Sequence, residues 1–190
     1  MGRKSDEIEI PVIGHRFRVV RSARETGGES LGLEYCAPPR GKAREHVHPR
    51  QEARLRVLSG TLGFRVGGRG QTLGAGQSAV GPAGIPHAWR NLGDGEVCFL
   101  VEFRPALNTE ALLVAGGVIA REWGTDKIRT PKYLLRLAAL LDEVGDPNLY
   151  LARPPIAVQK AFLAVFTGAL APLGRLLGYG ARRPRHDRPS

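Results

Sequence analysis

The chain has 190 residues, of which 42% are hydrophobic and 6% aromatic, with 25 glycines, 14 prolines and a formal charge of +10. That is enough apolar material for one real core with an appendage, it excludes a disordered chain, and it leaves leucine, valine and alanine to fill the interior. The glycines cluster in the first two thirds, which argues against an all-helical protein, and the excess charge sits largely at the ends, at Arg3 and Lys4 and at Arg175, Arg182, Arg183, Arg185 and Arg188, without any nucleic-acid-binding motif.

The N-terminal Met-Gly-Arg-Lys-Ser-Asp-Glu has no apolar leader, and no apolar run reads as a spanning helix, so a cytoplasmic protein is expected. Residues 8–20 alternate loosely as one or two strands, with a turn at Gly14-His15, and Arg24 to Glu29 reads as a hairpin loop. Ser30 to Ala37 is a strand with Leu31, Leu33 and Tyr35 on one face, stopped by Pro38-Pro39-Arg40-Gly41. The next strand carries His46 and His48, two apart and so on one face. After Pro49-Arg50-Gln51, Ala53 to Leu58 puts Leu55 and Val57 inward and Arg54 and Arg56 outward. Thr61 to Val66, Gln71 to Leu73, Ser78 to Val80, His87 to Asn91 and Val97 to Arg104 are further strands with glycine-rich turns between them. Regularly spaced short strands of this kind predict a β-sandwich or barrel. Cys36 and Cys98 lie in two of the strands, belong to no CxxC pair, and read as buried, reduced thiols.

After Pro105 the pattern changes to helices. Asn108 caps one that runs to Ala120–Trp123, broken at Gly124; Thr130 and Pro131 start a second that ends at Gly145-Asp-Pro, with Lys132, Arg136, Asp142 and Glu143 facing out. Pro154-Pro155 opens a third, of about 16 residues, reaching Leu170 before Pro172 interrupts it. The predicted organisation is a barrel over 1–105, helices over 106–178 packed on it or at a dimer contact, and a basic tail over 179–190 without order.

Three of the five histidines concentrate the chemistry. His46 and His48 project from one strand face, and His87 can meet them from an antiparallel neighbour, which gives a facial set of nitrogen ligands with open positions for water or substrate. Such a set suits one divalent transition metal ion: Fe, Mn, Ni, Zn or Cu. Gly76, Pro82, Gly84, His87 and Asn91 carry the spacing of the second conserved motif of the cupin superfamily, and Gly41, His46, His48 and Glu52 resemble its first. The chain is similar to small bacterial single-domain cupins with a helical C-terminal extension. The resemblance implies a mainly β fold, a double-stranded β-helix (jelly-roll) barrel with an α-helical appendage, and a metal in its mouth.

The first motif of the family also implies an acidic ligand. Glu52 lies within the allowed spacing after His48, but the position with pocket parity is Ala53. Either Glu52 reaches the metal from a bulged backbone, or the site is three-histidine, or metal binding is weakened or lost. Tyr35, Phe64 and Trp89 are expected to line the cavity or the core. Gln51 is placed to hold a substrate, and Glu102 is either a buried acid–base group or an exposed pairing partner. The function expected is a metal-dependent small-molecule enzyme of the cupin type, a dioxygenase, isomerase, cyclase or decarboxylase. The alternative is a non-catalytic module that binds a small organic ligand. The partners expected are that substrate or ligand and a second copy in a homodimer, with no nucleic acid. Residues 156–188 offer a further option, an apolar helix and basic tail that could touch a membrane surface, against the option of packing within the protomer or dimer.

Overall fold

The computed structural model describes residues 8–10, 14–123 and 130–179, the side chains of 8–10, 118 and 120–123 excepted. The basic N-terminal pair, the break expected at Gly124 and nearly all of the C-terminal tail lie outside these residues. The strands are β1 (Ile8–Ile10), β2 (His15–Arg21), β3 (Leu31–Ala37), β4 (Lys42–Val47), β5 (Glu52–Ser59), β6 (Leu62–Val66), β7 (Arg69–Leu73), β8 (Ser78–Gly81), β9 (His87–Asn91) and β10 (Val97–Arg104). Three helices, α1 (Thr109–Trp123), α2 (Pro131–Val144) and α3 (Ile156–Leu176), follow, with a two-residue strand β11 (Tyr150–Leu151) between the last two.

The strands form two antiparallel sheets, in the orders β1-β2-β3-β10-β5-β8 and β11-β4-β9-β6-β7. This is the jelly-roll barrel with a helical appendage. Alternation along each strand sends Leu31 and Leu33, Leu55 and Val57, Leu62 and Phe64, and Phe99 and Val101 into one shared core between the sheets. The arginines between them, Arg54 and Arg56, stay exposed, as a half-buried strand requires. Gly60, at φ 79, closes the β5–β6 turn so tightly that a Cβ would stand 2.8 Å from the Glu96 carbonyl.

Several expectations are corrected. Cys36 and Cys98 are joined in a disulfide. The β3–β10 register sets them directly opposite each other, a pairing of strands 62 residues apart that no local spacing reveals. Arg136, expected to face out from α2, is buried. Helix α3 continues through Pro172 to Leu176, 21 residues in all, and is long and apolar enough to cross a membrane by length and composition, contrary to the sequence reading. The appendage also does more than pack outside: β11 pairs with β4, Tyr150 against Val47 and Leu151 against His46, so residues after α2 return to the barrel mouth. Thr130 caps α2 with its side chain and Gly145 ends it, as the sequence implied. Asn108 instead donates from its amide to the carbonyls of Val144, at 2.7 Å, and Asp146, which ties the start of α1 to the loop after α2.

Candidate metal centre

The site begins with a bulge. In the β4–β9 ladder Ala43 faces Trp89 and His46 faces His87, so β4 spends three residues where β9 spends two. The extra residue shifts parity, and both Ala43 and His46 end up on the pocket side. His48 follows just past the end of β4 and is buried. His87 opens β9, beneath Gly81, where an added Cβ would stand 3.0 Å from the His87 Nδ1.

The three imidazoles cluster closely. Ring centroids are 4.5 Å apart for His46 and His87, 5.1 Å for His46 and His48, and 5.4 Å for His48 and His87. One ligand nitrogen from each lies within 4.8 Å of the other two. Each Nδ1 is held by a backbone carbonyl: His46 by Arg44 at 2.7 Å, His48 by Asn148 at 3.1 Å and His87 by Ile85 at 3.0 Å. A carbonyl oxygen only accepts, so each Nδ1 carries the hydrogen and each Nε2 keeps its lone pair. Burial pushes the His48 imidazole down to about 3, helped by the neighbouring His46 and His87 charges, and the His87 imidazole down to about 4, with His46 adding to the effect. Burial lowers His46 as well. All three rings are therefore neutral near pH 7, the form that binds a metal.

The rings open onto a cavity of about 290 Å³. Its walls are mostly apolar: Tyr35, Phe64, Trp89, Phe99 and Phe103 supply the aromatic surface, and Leu149 and Leu151 close it from the appendage. Of the candidate pocket residues, Tyr35, Phe64 and Trp89 line this cavity. Behind Tyr35, its hydroxyl is bonded to the Nδ1 of the buried His15 at 2.8 Å.

Three proposed residues are not brought to the cavity. Glu52 points outward and pairs with Arg54, because its neighbours Gln51 and Ala53 take the buried positions on either side. Glu102 also lies on the outer face, 2.9 Å from Arg104 and 3.9 Å from Arg21, and the Arg104 hydrogen bond holds its carboxyl below the usual range. Gln51 is fully buried but serves as a clasp. Its Nε2 donates to the carbonyls of Pro105 and Ala106 at 2.7 and 2.8 Å, and its Oε1 accepts from the Asn148 amide at 2.9 Å. Asn148 in turn holds His48, so Gln51 braces the residue whose carbonyl orients the His48 ring.

Asn148, Leu149 and Leu151 were not anticipated. The one local hint is Asp146-Pro147-Asn148, which forms a turn with the Asn148 backbone N–H donating to the Asp146 carboxylate at 2.8 Å and φ 48 at Asn148. Its delivery to His48, a hundred residues earlier, is a tertiary event.

Residues 33–103 match the family model described as the cupin domain. Similar solved structures include a predicted oxalate decarboxylase from Thermotoga maritima, at 18% identity over 55% of this chain and 98% of that one, TM-score 0.49. Another is the polyketide cyclase RemF from Streptomyces resistomycificus, at 22% identity over 55% and 79%, TM-score 0.47. The cupin domain of Schizosaccharomyces pombe Cnp3 matches at 11% identity and TM-score 0.45; this chain covers 64% of its length, and the match takes in 48% of this chain. No curated protein sequence matches the chain.

Proposed function

Since the chain belongs to the cupin superfamily, we propose that its barrel is a metal-dependent enzyme acting on a small, largely apolar organic substrate. The observation that carries this is the common locking of three Nδ1 atoms by three backbone carbonyls, which leaves the Nε2 lone pair free on each of three clustered rings. His46, His48 and His87 would hold one divalent ion, with iron, manganese, nickel, zinc or copper suited to an all-imidazole set. When bound, such an ion supplies Lewis acidity toward a carbonyl or enolate oxygen, or a redox centre for dioxygen, which covers dioxygenation, isomerisation, cyclisation and decarboxylation.

This chain's own residues account for the rest. The carbonyls of Arg44, Asn148 and Ile85 fix the tautomer and aim of each ring. The walls formed by Phe64, Trp89, Phe99, Leu149 and Leu151 exclude water and hold an apolar body against the histidines. Without a carboxylate ligand, the site would carry one negative charge less than a three-histidine, one-carboxylate set, which favours a stronger Lewis acid held less tightly. The test is elemental analysis of protein purified without chelators. One transition-metal ion per chain, lost in His87→Ala, supports the reading; the same trace metal content in both proteins sinks it.

One observation favours a second reading. Among the described residues lining the cavity there is no Asp or Glu to move a proton, which suits a binding protein that holds a small ligand without turning it over. Binding of aromatic carbonyl compounds with no product formed by the metal-loaded protein would select it.

A further inference from the structure

Helix α3 stands apart from the rest of the fold. From Ala161 to Gly174 it carries no charged residue, yet most of its surface faces solvent. Phe162 is 70% exposed, Val165 71% and Leu176 84%. Only one side is covered: Thr167, Ala171 and Gly174 are buried, and at Gly174 a Cβ would stand 2.5 Å from the Leu135 carbonyl of α2. A contiguous apolar surface of this kind is expensive to leave in water and marks a contact.

Two features of the chain say what the contact is. The first is charge. Residues 151–190 hold seven Lys and Arg against the single acidic Asp187, and Arg182, Arg183, Arg185 and Arg188 all follow α3 in the sequence. A second copy would bring the same positive charge to the interface, whereas an anionic lipid surface would neutralise it. The second is continuity with the cavity. Leu149 and Leu151 line the histidine pocket and also a groove of about 450 Å³ that runs along Val158, Phe162 and Leu163 of α3. The exposed helix face therefore leads to the mouth of the site.

We propose that α3 and the basic segment after it dock the protein on an anionic membrane surface. The helix lies in the headgroup plane with Phe162 and Val165 inserted, and the histidine pocket opens toward the lipid. It lies on the bilayer and does not span it, because the buried Thr167, Ala171 and Gly174 commit one face to the protein, and at Gly174 to α2 itself. A membrane-partitioned apolar compound could then reach the cavity without crossing water. The inference stands independently of the metal reading.

The experiment is flotation of the full chain with vesicles of phosphatidylcholine alone and with added phosphatidylglycerol, at low and high salt, with light scattering for the oligomeric state. The expected result is flotation with the anionic vesicles only, reduced about tenfold by high salt. Phe162→Asp with Val165→Asp, both at solvent-exposed positions, abolishes it while the thermal melt and metal content stay those of the parent. Reversing Arg182, Arg183 and Arg185 to Glu lowers it by at least about tenfold without touching the folded barrel. Flotation indifferent to lipid charge or to both variants overturns the proposal. So does a dimer that Phe162→Asp and Val165→Asp split into monomers while no vesicle binds, which would assign α3 to a second copy.

Discussion

Four of the five histidines are turned into the barrel, and they are held in two different ways. His46, His48 and His87 each give Nδ1 to a backbone carbonyl and share one cavity wall. His15 pairs Nδ1 with the Tyr35 hydroxyl, lies tilted against Trp89 with ring centroids 5.5 Å apart, and turns its Nε2 toward Gly41, where a Cβ would meet it at 3.0 Å. A carbonyl can only accept, so it sets the tautomer; a tyrosine hydroxyl can accept or donate, and sets nothing. Burial alone is thus no sign of a ligand. What separates the two settings is the partner of the second nitrogen, and whether other rings face the same space.

The sharpest way to break this contrast is to remove one member of each class. His48→Ala should cost roughly 100-fold or more in affinity for added Fe(II) or Mn(II), since it deletes a ligand. His15→Phe, which keeps an aromatic ring and loses the Tyr35 bond, should lower stability but leave that affinity where it was. Equal losses in isothermal titration would put His15 in the site and erase the distinction.

The pH dependence of the metal-free protein tests it next. An unfolded histidine titrates near 6.5, whereas His48 and His87 in the fold are pushed down to about 3 and about 4. As pH falls below 6.5 the unfolded chain takes up protons that the folded cluster refuses. Stability is complete above that pH and is lost progressively toward pH 4, by an amount on the order of 3 kcal/mol for each of the two rings. Urea midpoints across this range should show the loss, and His48→Ala should make the slope shallower. A flat profile in the parent would mean the rings are already protonated or solvated.

A subtler pair uses two glycines. In Gly81→Ala the new methyl would press on the His87 ring, at 3.0 Å from Nδ1 and 3.2 Å from Cε1. In Gly41→Ala it would press on Pro38, Ala37 and His15. Both should lower stability, by about 2 kcal/mol as overpacking does. Only Gly81→Ala should also weaken metal binding, about tenfold through misorientation of a ligand. If Gly41→Ala weakens it equally, the two histidine settings are mechanically coupled through the core.

The barrel was legible because its signals are local. Period-two alternation placed Leu55 and Val57 inward and Arg54 and Arg56 outward, and Gly60 and Gly84 announced turns that both need positive φ. The histidine set was legible for the same reason, two residues on one strand and one on its neighbour. What escaped depends on contacts between distant stretches. Asn148 reaches His48 across a hundred residues, Cys36 meets Cys98 through the β3–β10 register, and Gln51 spends its amide on the start of the appendage. Local propensity also misjudged α3, because Pro172 reads as a break yet sits inside a continuous helix.

Glu52 carries the smallest effect and settles the ligand count. It lies between buried Gln51 and Ala53, and the side-chain period of a strand sends it out, to Arg54. An exposed pair of this kind contributes less than about 1 kcal/mol. Glu52→Ala should therefore leave metal affinity unchanged and move the thermal midpoint barely at all. Ala53 lines the cavity, so Ala53→Glu brings a carboxylate to the imidazoles that natural Glu52 cannot. That variant should bind the metal more tightly and, while metal-free, be less stable for burying an unpaired charge. Should Glu52→Ala release the ion instead, the strand must open at Gln51 when metal enters, and the three-histidine set would be an incomplete description of the loaded site.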